Sequence, residues 1–270
     1  MEKITQFFKL KEHNTDFKTE VLAGLTTFMT MAYILVVNPA MLAEAGMDFG
    51  GVFTATALAA MLACILMAVL ANYPFGLAPG MGLNAFFAYT VVLGMQKSWQ
   101  FAMTAVLIEG LVFMLMSAFN FREAIFDAIP KNLKIAVSVG IGLFIAFLGL
   151  ANTGVVIQGS GTIVALGSVM EGDALLALIG ILVTGVLVAR NIKGALLIGI
   201  VLTTLIGIPM GVTVIPESLS IFSLPPSLDK VAFQFVGWNE IFSKEMLVVV
   251  FTFLFVDMFD TVGTLAGVAA

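Results

Sequence analysis

Apolar residues gather into eight long runs along this chain, separated by short polar or Gly/Pro-rich stretches. The runs fall at Val21–Val37, Gly51–Ala71, Met81–Leu93, Phe101–Phe119, Ile135–Ala151, Ala174–Ala189, Gly194–Val212 and Met246–Ala270. By hydropathy they are eight candidate membrane spans. About 20 such residues in helical form cross a bilayer. The pattern predicts an all-α polytopic membrane protein in which helices satisfy their own backbone polar groups.

The third run is the exception. It follows the stretch Ala71-Asn-Tyr-Pro-Phe-Gly-Leu-Ala-Pro-Gly-Met-Gly-Leu-Asn84. There Pro74 and Pro79 lack donors, and Gly76, Gly80 and Gly82 disfavour helix. We expect Ala78–Leu83 to be extended and a helix to begin near Asn84. Non-helical backbone at membrane depth is tolerated where it lines a cavity or is covered by protein. A helix starting there aims its free N–H groups and positive dipole end at the interior. Broken elements of this kind form solute sites in secondary transporters. The competing reading is a surface loop followed by an ordinary short span.

Composition narrows the class. The 270 residues are 60% apolar and 11% charged, against about 25% charged in a soluble domain, and mean hydropathy is +1.10. A single cysteine, Cys64, and a single histidine, His13, rule out a disulfide framework and argue against zinc or haem. No cofactor is expected. The net charge of −5 is spread over loops with no basic stripe, so no nucleic-acid partner is expected either. No nucleophile–base pair, phosphate loop or metal spacing is present, which disfavours an enzyme.

Three acids lie inside apolar runs: Glu109 in the fourth, and Asp257 and Asp260 in the last. A carboxylate at membrane depth costs roughly 2.5 kcal/mol or more, so it faces a cavity and is usually functional. Asp257 and Asp260 are one helical turn apart and can point the same way. They can pair with a cation, carry a proton or accept hydrogen bonds from a polar solute. One is expected to be functional and the other to bond neighbouring backbone or hydroxyl groups. Glu109 reads first as a structural bond across helices, with a proton route as the alternative. Hydroxyls at Thr26, Thr27, Thr30 and Tyr33 add a weak signal. The small-residue patterns at Gly140–Gly142 and Thr203–Gly207 read as packing, and Asn152–Gly154 with Gln158–Gly161 as a loop.

Basic residues set the orientation. With a cytoplasmic N-terminus, inner loops hold Lys3, Lys9, Lys11, Lys18, Arg122, Lys131, Lys134, Arg190 and Lys193, while outer loops hold Lys97, Lys230 and Lys244. That asymmetry is the positive-inside bias. Residues 1–20 are then a cytoplasmic arm, 120–133 a short interfacial helix on the same side, and 213–245 an extracellular connector. An apolar run that reaches Ala270 without a polar flank leads us to expect the N-terminal part of a longer transporter.

Three motifs carry a family resemblance. Gly24-Leu-Thr-Thr-Phe-Met-Thr-Met-Ala-Tyr-Ile-Leu-Val-Val-Asn-Pro39, Gly76-Leu-Ala-Pro-Gly-Met-Gly-Leu-Asn-Ala-Phe-Phe-Ala-Tyr89 and Phe255-Val-Asp-Met-Phe-Asp-Thr-Val-Gly-Thr-Leu265 closely resemble AzgA-type hypoxanthine/guanine permeases. These are nucleobase–cation symporters with the uracil-permease fold. The resemblance runs along the whole chain. It implies inverted seven-span repeats with a short extended strand in span 3. On that plan 21–212 is the first seven-span repeat, 213–245 the connector, and 246–270 the truncated first span of the second repeat. Span 10, with its strand and acid, is absent.

The resemblance further implies a secondary active transporter that imports purine nucleobases: guanine, hypoxanthine, with adenine as a further candidate. A proton, or Na+, would be the coupling ion, and the protein a homodimer in the lipid bilayer of the bacterial inner membrane. Laid on the family's binding run, Asp260-Thr-Val-Gly-Thr264 places the binding acid at Asp260 and a secondary contact at Thr264. Asn84, Phe86 and the backbone near Gly82 would line the pocket from span 3, and Thr27 and Phe28 from span 1. Asp257 and Glu109 would support the site or couple the proton. A carboxylate suits a purine because it accepts from two N–H donors at once, and a Phe face can stack on the base. The alternative is an anion transporter of the same fold, of the sulfate or bicarbonate type. An acid beside the site argues against it.

Overall fold

The computed structural model describes residues 6–12, 14–119, 130–215 and 223–269, without the side chains of 131, 133, 134, 137, 138, 141 and 262–269. His13 and residues 120–129, which hold most of the expected interfacial helix, lie outside the described residues. The helices are α1 Phe17–Met31, α2 Ile34–Glu44, α3 Phe49–Leu66, α4 Met81–Ala85, α5 Trp99–Ala118, α6 Lys131–Asn152, α7 Gly172–Ala189, α8 Ala195–Gly207, α9 Trp238–Ile241 and α10 Lys244–Ala269. Among the described residues, Phe17–Glu44, Phe49–Ala71, Trp99–Ala118 and Gly172–Ala189 are long and apolar enough to cross a membrane, while Met81–Gly94, Gly142–Asn152 and Ala195–Gly207 are shorter apolar helices. The chain divides into two compact units, each described here by itself.

The first unit comprises residues 1–36, 57–78 and 147–224. Asp16 caps α1 by accepting from the Thr19 amide at 2.7 Å. Hydrogen bonding to Thr19 holds its carboxyl below the usual range. Helices α7 and α8 pack closely because glycines face threonines: a Cβ on Gly180 would meet Thr203 Cγ2 at 2.9 Å, and one on Gly199 would overlap Thr184 Oγ1. The expected Thr203–Gly207 pattern therefore does pack. At the other expected pattern, a Cβ on Gly140 or Gly142 would meet nothing within 4 Å among the described residues. The turn-rich loop after α6 holds a small antiparallel hairpin, β1 Val156–Ile157 with β2 Ala165–Leu166.

The second unit comprises residues 37–56, 79–146 and 225–270. Helix α10 packs on α5 and on α4, and its core includes Phe87, Val91, Phe101, Met246, Val249 and Phe253. The end of the connector lies on the start of α3, where glycines admit it: a Cβ on Gly50 would meet Pro226 Cβ at 2.8 Å, and one on Gly51 would meet Val231 Cγ2 at 2.9 Å. Thr54 donates to the Pro226 carbonyl at 2.9 Å. Lys230 Nζ lies 2.7 Å from Asp48 Oδ1. Lys230 and the Gly51 amide hold the Asp48 carboxyl below its usual range, and Asp48 raises Lys230 in turn.

Helix α3 ends in a π-helical turn, Met67–Ala71, closed by Asn72 in the left-handed region at φ 55°. Residues 73–80 are then irregular, and Gly80 is extended at φ −75°, ψ 122°. The break exists, but its end is earlier than expected. Helix α4 starts at Met81, so Met81, Gly82 and Leu83 are helical rather than extended. The physical reason is that both prolines lie upstream: Pro79 disfavours helix at Ala78, and beyond it no residue lacks a donor. A single Gly at 82 costs about 1 kcal/mol, too little to stop the helix. From Phe86 to Gly94 it continues as a π-helix.

Candidate functional site

The carboxylate of Asp260, on α10, rests against the backbone of Gly80: a Cβ built on Gly80 would lie 2.6 Å from its Oδ2. Only a residue without a side chain leaves room for it. Gly80 is the residue from which α4 starts, so the acid sits where the first free N–H groups of the Met81–Gly94 helix emerge. That end of a helix favours negative charge. Asp260 is half-buried. Among the described residues no protein donor reaches its carboxylate.

The neighbouring acids differ. Asp257 Oδ1 accepts from Thr261 Oγ1 at 3.3 Å, a local bond within α10. Glu109, on α5, is 6% exposed, and its Oε1 has no partner among the described residues. Asp257 is near enough to act on it electrostatically. Phe86 packs edge-to-face on Phe253 with ring centroids 4.9 Å apart, so one side of the expected stacking ring is committed to α10. Gly82 is buried within α4.

Asn84 is held by a chain of hydrogen bonds that sequence reasoning missed. Its Nδ2 donates to Asn38 Oδ1 at 2.6 Å. Asn38 Nδ2 donates to Thr56 Oγ1 at 2.7 Å, and Thr56 donates to the Val52 carbonyl at 2.7 Å. Asn38 is 4% exposed and Thr56 3%. The available signal was an Asn and a Thr placed inside apolar runs, where each needs a partner.

The second unit thus brings together Asp260, Asp257, Glu109, Asn84, Phe86 and Gly82. The Thr264 side chain lies outside the described residues. Thr27 and Phe28 belong to the first unit. There Thr27 bonds the Ala23 carbonyl at 3.0 Å, and both line a mostly apolar cavity of about 520 Å³ with Met31, Cys64, Tyr73 and Phe75. The irregular segment borders this cavity. Leu77 N–H donates to Cys64 Sγ at 3.1 Å, and the thiol donates to the Leu77 carbonyl at 3.3 Å. Cys64 therefore supplies partners for backbone groups that a helix would have satisfied internally. Gly76 lets the segment approach α1, since a Cβ there would lie 2.7 Å from Thr27 Cγ2.

Among the described residues no three His, Cys, Asp or Glu side chains gather as metal ligands. The second unit instead holds the oxygen acceptors Asp260 and Glu109 and the Phe86–Phe253 ring pair.

Comparison with known proteins gives a consistent picture. A family profile described as "Permease family" matches residues 18–270. A Methanocaldococcus jannaschii protein is 47% identical over 270 residues, covering 100% of this chain and 61% of that protein. The guanine/hypoxanthine permease PbuG of Bacillus subtilis is 46% identical, covering 97% of this chain and 62% of that protein. The adenine permease AdeP of Escherichia coli is 41% identical, covering 98% and 59% respectively. These named relatives, PbuG and AdeP, are transporters rather than enzymes. The chain spans about three-fifths of the length of the relatives it matches. A profile match over nearly every residue, joined to identities of this size, decides the matter: the chain belongs to the permease family.

Proposed function

We propose that the whole protein is a secondary active transporter that imports purine nucleobases, with guanine and hypoxanthine as the preferred substrates, by proton symport. The observation that carries this reading is the Asp260 carboxylate seated on Gly80 at the start of the broken span. A half-buried acid with no protein donor among the described residues is an acceptor for N–H groups. Guanine presents an adjacent N1–H and N2–H pair, which one carboxylate takes at once, and hypoxanthine presents N1–H. The names of PbuG and AdeP, which concern purines, agree with this choice. Thr264, Asn84, Phe86 and the backbone near Gly82 complete the proposed site, and Asp257 and Glu109 serve as supporting or proton-handling acids.

In this account residues 21–212 form the first repeat, 213–245 an outward-facing connector, and 246–270 the first span of the second repeat. The protein sits in the plasma membrane as a homodimer with its N-terminus in the cytoplasm. The test is uptake of radiolabelled guanine by cells that lack their own purine uptake and express the full-length gene. Unlabelled guanine and hypoxanthine should compete, uracil and sulfate should not, and a protonophore should abolish accumulation. Competition by sulfate, or no guanine uptake, would contradict the proposal.

A further inference from the structure

The hydrogen-bond chain behind Asn84 has a direction, and the direction is set at its far end. The Val52 carbonyl can only accept. Thr56 has one hydroxyl proton and gives it to Val52, so its oxygen must accept from Asn38 Nδ2. That turns Asn38 Oδ1 toward Asn84, which must then give Nδ2. Reversing both amides would spend the Thr56 proton on Asn38 and lose the bond to Val52. The observed arrangement therefore has one hydrogen bond more than its inverse. Asn38 and Thr56 are both buried, where water cannot make up the difference. Asn84, by contrast, is half-exposed, and among the described residues its Oδ1 takes no protein donor.

We propose that Asn38 and Thr56 are positioning residues that lock the Asn84 carboxamide with its oxygen toward the ligand, making the site select 6-oxopurines over 6-aminopurines. This rests on the purine reading above and adds a specificity rule to it. Asn84 lies one turn beyond Gly80, where Asp260 is seated, and its amide N–H bonds the Gly80 carbonyl at 3.2 Å. Asp260 and Asn84 Oδ1 are then both acceptors. Guanine meets them with its N1–H and N2–H donors, and hypoxanthine with N1–H. On the same edge adenine sets its N1 lone pair beside the N6 amino donor, so one of the two acceptors faces an acceptor. A site built on hydrogen bonds rejects such a mismatch strongly.

The experiment is equilibrium binding of hypoxanthine and adenine to purified full-length protein, comparing wild type with Thr56→Val, Thr56→Ser and Asn84→Leu. Wild type should favour hypoxanthine by about tenfold or more, the scale of one mispaired buried group. Thr56→Val keeps shape but removes the hydroxyl, so Asn38 and Asn84 can invert, and the hypoxanthine-to-adenine ratio should fall about five- to tenfold. Thr56→Ser restores the hydroxyl and should restore the ratio. A purely structural role would lower both affinities together and leave the ratio unchanged, which would overturn the proposal. Should Thr56→Val fail to fold, Asn84→Leu decides: a lost preference supports the assignment, and a retained one refutes it. If wild type binds no purine, the purine reading itself fails; if it binds purines without preference, only this specificity rule does.

Discussion

Gly80→Ala is the smallest change that moves the proposed binding acid without touching it. The new methyl carbon would stand 2.6 Å from Asp260 Oδ2, and ordinary van der Waals contact begins near 3.4 Å, so the pair must open by about 0.8 Å. The backbone at residue 80 does not resist the substitution, because φ −75° and ψ 122° suit any residue. The whole perturbation therefore falls on the carboxylate. A displacement approaching 1 Å breaks the geometry of hydrogen bonds to a ligand, and each mispaired buried group costs about 1–3 kcal/mol. Since 1.4 kcal/mol is tenfold, guanine affinity should drop by about tenfold or more. The assay is equilibrium binding of labelled guanine to purified full-length protein, alongside its thermal melt and elution profile. Gly237→Ala is the control, because a Cβ there meets nothing within 4 Å. Folded Gly80→Ala protein that binds guanine within twofold of wild type would refute the reasoning.

Three other outcomes follow from the same structure. Asp257→Asn should lower expression or melting temperature with a milder loss of guanine binding, because Asp257 has a local partner in Thr261; equal stability with abolished binding would count against it. Gly199→Leu should destabilise the α7–α8 pair by about 1–3 kcal/mol through overpacking against Thr184, read as a drop in melting temperature, and an unchanged melt would show that the pair is looser than described. Single cysteines at positions 12, 127 and 191 should resist an impermeant thiol reagent added to intact cells, because the proposed topology, drawn from the positive-inside bias, has those loops in the cytoplasm; rapid labelling would refute that topology.

The helical class was legible because hydropathy over 20 residues is a strong local signal. The break before span 3 was legible for the same reason: prolines 74 and 79 act on their own neighbours. Its boundary was misjudged because Gly80 and Gly82 look alike in sequence, yet one starts the helix and the other lies inside it. Tertiary facts were not local. Nothing in the run around Cys64 announces that its thiol serves Leu77, since the two are joined only by folding. Asn38 and Thr56 were visible as polar residues among apolar ones, but their link to Asn84 spans 46 residues. The packing glycines show the same limit: Gly199 and Gly180 meet threonines across α7 and α8, whereas Gly140 and Gly142 meet nothing among the described residues. Motif spacing could not separate these cases.

The most direct test of the account is the binding of guanine and hypoxanthine to full-length protein carrying Asp260→Asn. The substitution keeps the shape of the side chain but turns one acceptor oxygen into a donor that faces the donors of the base. Affinity for both purines should fall by about tenfold or more, while expression and melting temperature stay near wild type. Unchanged affinity in folded Asp260→Asn protein, with Asp257→Asn abolishing binding instead, would contradict the assignment of Asp260 as the binding acid.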